Sequence, residues 1–153
     1  MTPAEPLHLL KLGLFKYTIE GFCVALGYSP TSKSPPKILK DIDTWAQTVG
    51  RYLGHQSDRG LPHTYFPNGV TGGTKLAGHE RNGVLLVLLL LCKLESSKAL
   101  IRTKMTAIQL LGWIELLESL LTWRWWLMQP TLSMEKVTAS QLCTNHHMEL
   151  GCF

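Results

Sequence analysis

The chain has 153 residues, a net charge of +4 and 45% hydrophobic residues, while only 17% of its residues are charged. An average soluble protein has about 25% charged residues. The high apolar and low charged fractions exclude disorder over the whole chain, because there is ample apolar surface to bury. The composition also excludes collagen-like and coiled-coil sequences. Residues 1–80 and 81–153 each carry a net charge of +2, so charge alone indicates neither nucleic-acid nor anionic-membrane binding.

The first predicted helix begins with a capping signature and ends at a glycine. Thr2 is placed to cap the first turn, Pro3 suits the first helical position, and Glu5 has the capping-box spacing. Apolar spacing continues the helix to just before Gly27, which is a natural stop. The polar, proline-rich residues 28–36 cannot extend it.

A second helix is predicted from Ile38 to Leu53, because apolar residues recur there at intervals of three and four and Gly54 follows. Residues 55–78 contain five glycines and two prolines and predict a long irregular loop. Loops of this length in compact domains are usually functional or disordered.

The second half of the chain predicts further helices. Residues 78–94 are apolar nearly all round, which predicts a buried helix. The most apolar run, Val84 to Cys92, is far shorter than the roughly 20 residues of a membrane span, so we expect no membrane-spanning helix. Thr106 and Gln109 form a capping-box pair. They begin a helix whose apolar face continues toward Met128, before Pro130, through Ile108, Leu111, Ile114, Leu117 and Leu121.

A weaker helix is predicted over residues 133–147, and no segment has the period-2 pattern of a half-buried strand. The sequence therefore predicts a mainly α-helical chain of four to five helices, with a long irregular loop around residues 55–78 and no substantial sheet. We expect residues 1–130 to form one helical segment and residues 131–153 a weakly structured C-terminal tail.

Two groups of side chains have the chemistry of metal ligands. Glu5 and His8 are three residues apart and share one face of a helix, where a carboxylate and an imidazole can bind a divalent metal or pass a proton. Helix capping explains Glu5 without any such role. A second group lies near the end of the chain and lacks the two well-separated ligand pairs of a structural zinc site, so we interpret it as accidental: Cys143, His146, His147 and Cys152.

The cysteines are widely scattered, and the acidic, proline-bearing N-terminus is unlike a signal peptide. We therefore expect free thiols in a reducing compartment. No serine or cysteine nucleophile with a catalytic histidine can be identified from sequence order.

Two further segments allow a functional and a structural interpretation. Trp123, Trp125 and Trp126 with Arg124 suit a stacking or cation–π surface, but at helical spacing beside leucines such a cluster is more often core. If the tryptophans are exposed, we expect a protein partner to bind at Trp123–Leu127. The loop over residues 69–75 has the glycines and the lysine of a phosphate cradle without the G-x-x-x-x-G-K-[ST] spacing.

Two stretches together resemble one family of mobile-element proteins. The first is Thr2-Pro3-Ala4-Glu5-Pro6-Leu7-His8, followed by Leu12-Gly13-Leu14. The second runs from Gln56-Ser57-Asp58-Arg59 through Pro62, Thr64-Tyr65-Phe66-Pro67, Gly69, Thr74-Lys75-Leu76 and Gly78-His79-Glu80-Arg81 to Gly83-Val84-Leu85-Leu86. This arrangement resembles transposase-derived proteins of CACTA-type and Plavaka-like elements. These carry a T-P-x-E-x-L-H segment, a T-x-F-P-x-G loop and a T-x-L-x-x-x-E-R run into an apolar helix.

The resemblance implies a piece of a DDE-type nuclease and strand transferase with an RNase H-like core. In such enzymes three carboxylates hold two metal ions, usually Mg²⁺. It also implies DNA as the partner and the nucleus as the location. By this match Glu5 occupies the place of a catalytic, metal-binding aspartate and His8 that of the histidine three residues later. Glutamate in place of aspartate is a departure from the family pattern.

An RNase H-like core also needs a mixed sheet and two further carboxylates, and the sequence pattern predicts no such sheet. We therefore expect an internal fragment, the product of a truncated gene or a degenerate copy, which is catalytically inactive alone and does not bind Mg²⁺ by itself. Two other hypotheses stay open. One is a small helical interaction module using Trp123–Leu127, and the other is a membrane-associated protein using Val84–Cys92.

Overall fold

A computed structural model of the chain describes residues 13–55, 63–71, 75–77 and 80–127. Over these residues the chain forms five helices and no strand, which confirms the prediction of a mainly α-helical protein without a substantial sheet. The helices are α1 (Phe15–Ala25), α2 (Lys37–His55), α3 (Arg81–Lys93), α4 (Glu95–Ile101) and α5 (Ala107–Leu127). The predicted helix over residues 133–147 and the predicted tail over residues 131–153 lie outside the described residues.

α1 ends in a Schellman motif at the glycine that predicted its end. Gly27 has φ +94°, a conformation open to glycine and strained for other residues. Its amide donates to the carbonyl of Val24 (2.8 Å), and the amide of Tyr28 donates to the carbonyl of Cys23 (3.0 Å). The predicted start of this helix at Thr2 lies outside the described residues.

α2 agrees with the prediction to within two residues at each end, and its last residue is one beyond Gly54. The buried residues of α2 recur at intervals of three and four and include Leu39, Ile42 and Ala46. Residues 28–36 are not helical, as their prolines predicted.

α3 begins at Arg81, three residues later than predicted, because the amide of Ala77 donates to the Glu80 carboxylate (2.7 Å) in a turn before the helix. Eight residues of α3 are buried, and α3 packs against each of the other four helices, so the interpretation of Val84–Cys92 as a buried segment is confirmed. No helix in the described part of the chain is long and apolar enough to cross a membrane.

α4 was not predicted. The chain breaks at Leu94, whose ψ of 129° is extended, although neither glycine nor proline marks the break. The buried hydroxyl of Ser97 holds the new helix against the old one by donating to the carbonyls of Leu91 (2.9 Å) and Leu94 (3.0 Å). On the exposed side of α4, a hydrogen bond from Lys98 lowers the pKa of Glu95.

α5 begins at the predicted capping box. The amide of Thr106 donates to the Gln109 side-chain oxygen (2.9 Å), and the amide of Gln109 donates back to the Thr106 hydroxyl (3.3 Å). The predicted apolar face is wrong in its first two turns, because Ile108 is 82% exposed and Leu111 is 60% exposed. α5 is apolar on all sides, so its sequence does not define which side is buried, and the fully buried positions are Leu116, Leu117 and Leu120.

Candidate functional site

The described part of the long loop follows a defined path between two helices. We call residues 63–71 the strap. A Cβ atom at Gly50 of α2 would overlap the backbone carbonyl of Thr64, and a Cβ atom at Gly83 of α3 would overlap that of His63. Because any side chain at these two positions would occupy the space of the strap backbone, the close approach depends on glycine.

A single carboxylate on α2 holds the far end of the strap. Asp43 Oδ1 accepts hydrogen bonds from the amides of Val70 (2.8 Å) and Thr71 (3.1 Å), and Oδ2 accepts one from the Thr71 hydroxyl (3.0 Å). Gly69, with φ +86°, brings the backbone so close that a Cβ there would lie 2.6 Å from the same carboxylate. Asp43 therefore accepts hydrogen bonds from two backbone donors in a buried part of the chain, where such donors need acceptors.

The side chains of the strap add further contacts to α2 and α3. Phe66 is buried, and its ring meets the edge of the His63 ring at 5.4 Å between centroids. The Thr64 hydroxyl donates to the Gly50 carbonyl (3.3 Å), and the Gln47 amide donates to the Pro67 carbonyl (3.0 Å). Four residues of the T-x-F-P-x-G motif thus have structural contacts: Thr64, Phe66, Pro67 and Gly69.

These contacts bear on the phosphate-cradle interpretation of residues 69–75. A backbone cradle needs amides that point at the ligand. The amides of Val70 and Thr71 instead donate to Asp43, so an internal carboxylate takes the place of an external anion there. Lys75, the lysine of the same stretch, lines a cleft that Val70 and Thr71 also line.

This cleft has a volume of about 490 Å³ and lies between α1, the strap and the start of α3. Its walls include Ile19 and Cys23 from α1, Val70 from the strap and the half-buried ring of Tyr28. Pockets that hold small molecules have volumes of about 300–1,000 Å³ and are lined mainly by apolar side chains with a few polar groups. The cleft fits this description.

The charged side chains of the cleft are mostly basic. Lys16, Lys75 and Arg81 line it, and Glu20 is the acidic residue among its described lining residues. Glu20 lies 3.9 Å from the Lys16 ammonium. One guanidinium nitrogen of Arg81 donates to the Leu76 carbonyl (3.2 Å), which fixes this side chain beside the cleft. The cleft is therefore electropositive.

The tryptophan cluster at the end of α5 is divided between core and surface. Trp123 and Leu127 are partly buried against the core, whereas Trp125 is 56% exposed. The rings of Trp125 and Trp126 meet edge to face at 5.2 Å. Arg124 is half-buried, and its Nε has no hydrogen-bond partner among the described residues. Burial lowers the pKa of its guanidinium.

The residues predicted to have metal or catalytic chemistry all lie outside the described residues: Glu5, His8, Cys143, His146, His147 and Cys152. Within the described ranges, no group of three or more histidine, cysteine, aspartate or glutamate side chains could hold a metal ion. The assignment of Glu5 and His8 as catalytic residues, with Glu5 as a metal ligand, stays a prediction.

Two cysteines are described, and both are buried thiols: Cys23 on α1 and Cys92 on α3. Burial raises the pKa of Cys92 from 9.0 to about 12, because the thiolate is poorly solvated in the core. The thiolate is the reactive form. At pH 8.5 we expect Cys92 in the native protein to react with iodoacetamide about a thousandfold more slowly than in unfolded protein.

Site-resolved mass spectrometry of tryptic peptides measures this difference, with protein in guanidinium chloride as the matched control. Rapid native labelling of Cys92, at a rate close to that in guanidinium chloride, would contradict the burial described for this thiol.

Comparison of the chain with protein-family models, with curated proteins and with solved structures finds no match.

Proposed function

We propose that the chain is a helical, non-catalytic segment of a transposase-like protein, and that it binds DNA without cutting it. One observation supports this proposal above the others. The motif residues have structural roles. In the strap, the Thr64 hydroxyl donates a hydrogen bond, the Pro67 carbonyl accepts one, and Phe66 is buried. Gly69 of the strap and Gly83 of α3 permit close backbone approach. Among the described residues the motif therefore acts as a scaffold.

The proposal includes a negative expectation about catalysis. DDE chemistry requires three clustered carboxylates that bind two metal ions. Glu5 would be one of them, with His8 beside it, and Mg²⁺ would be the metal implied by the resemblance. We expect no strand transfer by this polypeptide alone with Mg²⁺ and terminal-repeat DNA. The nuclear location that the resemblance implies is part of the same proposal.

DNA binding is the testable part of this function. We expect the protein to bind duplex DNA with an affinity that falls steeply as salt rises, because contacts between basic side chains and phosphates release condensed counterions. For about three phosphate contacts, the slope of log affinity against log salt is about −3.

Fluorescence anisotropy of a labelled duplex over a range of KCl concentrations measures this slope. The control is heparin competition at one salt concentration, which should displace the duplex. The absence of binding at low salt, or an affinity independent of salt, would contradict the proposal.

A second candidate function is supported by the exposed apolar side chains of α5. Trp125 is exposed at one end of α5, within Trp123–Leu127, and Ile108 and Leu111 are exposed at the other end. Exposed large apolar side chains at Trp123–Leu127 are the feature that we expect a protein partner to bind. In this case the chain is an interaction module whose partner is another protein. The salt titration separates the two candidates, since a surface that recognises apolar protein side chains has no reason to bind duplex DNA.

A further inference from the structure

The electropositive cleft suggests a ligand more specific than duplex DNA. Among the described residues that line it, three charged side chains are basic and one is acidic, and they come from different parts of the chain: Lys16 and Glu20 from α1, Lys75 from the segment after the strap, and Arg81 from α3. Basic side chains that converge from separate elements onto one cleft favour an anionic group there.

The rest of the cleft favours an apolar, flat group next to that anion. Two apolar lining residues, Ile19 and Val70, are nearly fully buried, and we call them the apolar floor. The half-buried aromatic ring of Tyr28 also lines the cleft. Aromatic rings stack on nucleobases, with a contribution of about 1–3 kcal/mol per base by alanine substitution. A volume of about 490 Å³ suits a molecule of the size of one nucleotide.

We propose that this cleft binds a single nucleotide unit. Lys16, Lys75 and Arg81 bind its phosphate, and its base lies against the apolar floor and Tyr28. The choice of a nucleotide over other aromatic anions rests on the proposed function. The same chemistry has two sources, a free mononucleotide or one unit of a single DNA strand.

Calorimetric titration of the full chain at low salt tests this inference with four probes: thymidine, inorganic phosphate, thymidine 5′-monophosphate and a single strand of eight thymidines. We expect the monophosphate or the strand to bind at least about fivefold more tightly than thymidine or phosphate, because only these two supply both groups. Binding of the monophosphate indicates the free nucleotide as the source, and binding of the strand alone indicates DNA.

Two variants locate the binding site. Lys75→Gln and Lys16→Gln each remove one exposed charge from the cleft without removing a buried group. Each is expected to weaken binding of the preferred probe about fivefold, the effect of one solvent-exposed ion pair. Lys104→Gln is the matched control, because Lys104 is an exposed lysine outside the cleft. This variant should bind the preferred probe with the same affinity as the unmodified protein.

Two results would overturn the inference. One is equal affinity for all four probes, and the other is an equal loss of affinity in Lys104→Gln and Lys75→Gln, which would indicate attraction by net charge only. Neither result depends on the duplex titration. Binding of thymidine 5′-monophosphate without duplex binding would refute the proposed function and leave the cleft assignment standing.

Discussion

Gly83→Ala is expected to lower the free energy of unfolding by about 2 kcal/mol. The added Cβ would overlap the backbone carbonyl of His63 and lie 3.1 Å from the Phe66 ring, so the strap or α3 must move. Inserting an extra methyl group into a well-packed region typically costs about 1–3 kcal/mol, and we expect about 3 kcal/mol here because the overlap is with backbone and not with a flexible side chain. The helix preference for alanine over glycine offsets about 1 kcal/mol of this cost. Urea denaturation followed by circular dichroism measures the change.

Gly112→Ala is the matched control for this substitution. Gly112 also lies inside a helix, α5, but a Cβ there would have no neighbour within 4 Å. We expect this variant to be more stable by about 0.5–1 kcal/mol, because only the helix preference acts. If Gly83→Ala were as stable as Gly112→Ala, the strap would not lie against α3 as described.

Asp43→Ala is expected to lower the free energy of unfolding by about 3 kcal/mol. The substitution leaves the amides of Val70 and Thr71 in a part-buried region without their acceptor. The Thr71 hydroxyl also lies 3.3 Å from the Leu39 carbonyl, to which it can donate in the variant. Hydrogen bonds to charged groups contribute about 1.5–3 kcal/mol each, and a buried donor without an acceptor adds its desolvation cost.

Asp41→Ala is the matched control, since Asp41 lies on the exposed side of the same helix. A surface substitution of this kind usually changes stability by less than about 0.5 kcal/mol. Asp43→Asn should fall between the two, because the amide oxygen still accepts a hydrogen bond but has lost its charge. Equal stabilities of Asp43→Ala and Asp41→Ala in urea denaturation would show that the strap does not depend on this carboxylate.

The helices could be predicted where a local signal marked their limits. Gly27 ended α1, and the Thr106–Gln109 capping box began α5, because both features act within one turn of the helix. α4 could not be predicted, since its break at Leu94 depends on Ser97 contacting carbonyls of the preceding helix. The buried side of α5 could not be predicted either, because a helix that is apolar on all sides has no preferred face.

The candidate site was harder to predict than the fold. The sequence indicated the strap through its motif and Lys75 through the phosphate-cradle pattern. It gave no sign of Asp43, whose partners lie 27 and 28 residues away. Gly50 and Gly83 carried a weak local signal, since a glycine costs stability inside a helix and often has a packing reason there. That signal names no partner, and only the fold shows that the partner is the strap.

Asp43 fixes the strap against the helices, and this contact makes the motif a scaffold. Amide hydrogen exchange of Val70 and Thr71, followed by NMR, tests it most directly, because an amide exchanges only when its hydrogen bond opens. We predict that both amides are protected in the unmodified protein and exchange at least about tenfold faster in Asp43→Asn, while amides in the middle of α3 keep their protection. Unprotected amides at Val70 and Thr71 in the unmodified protein would contradict this account.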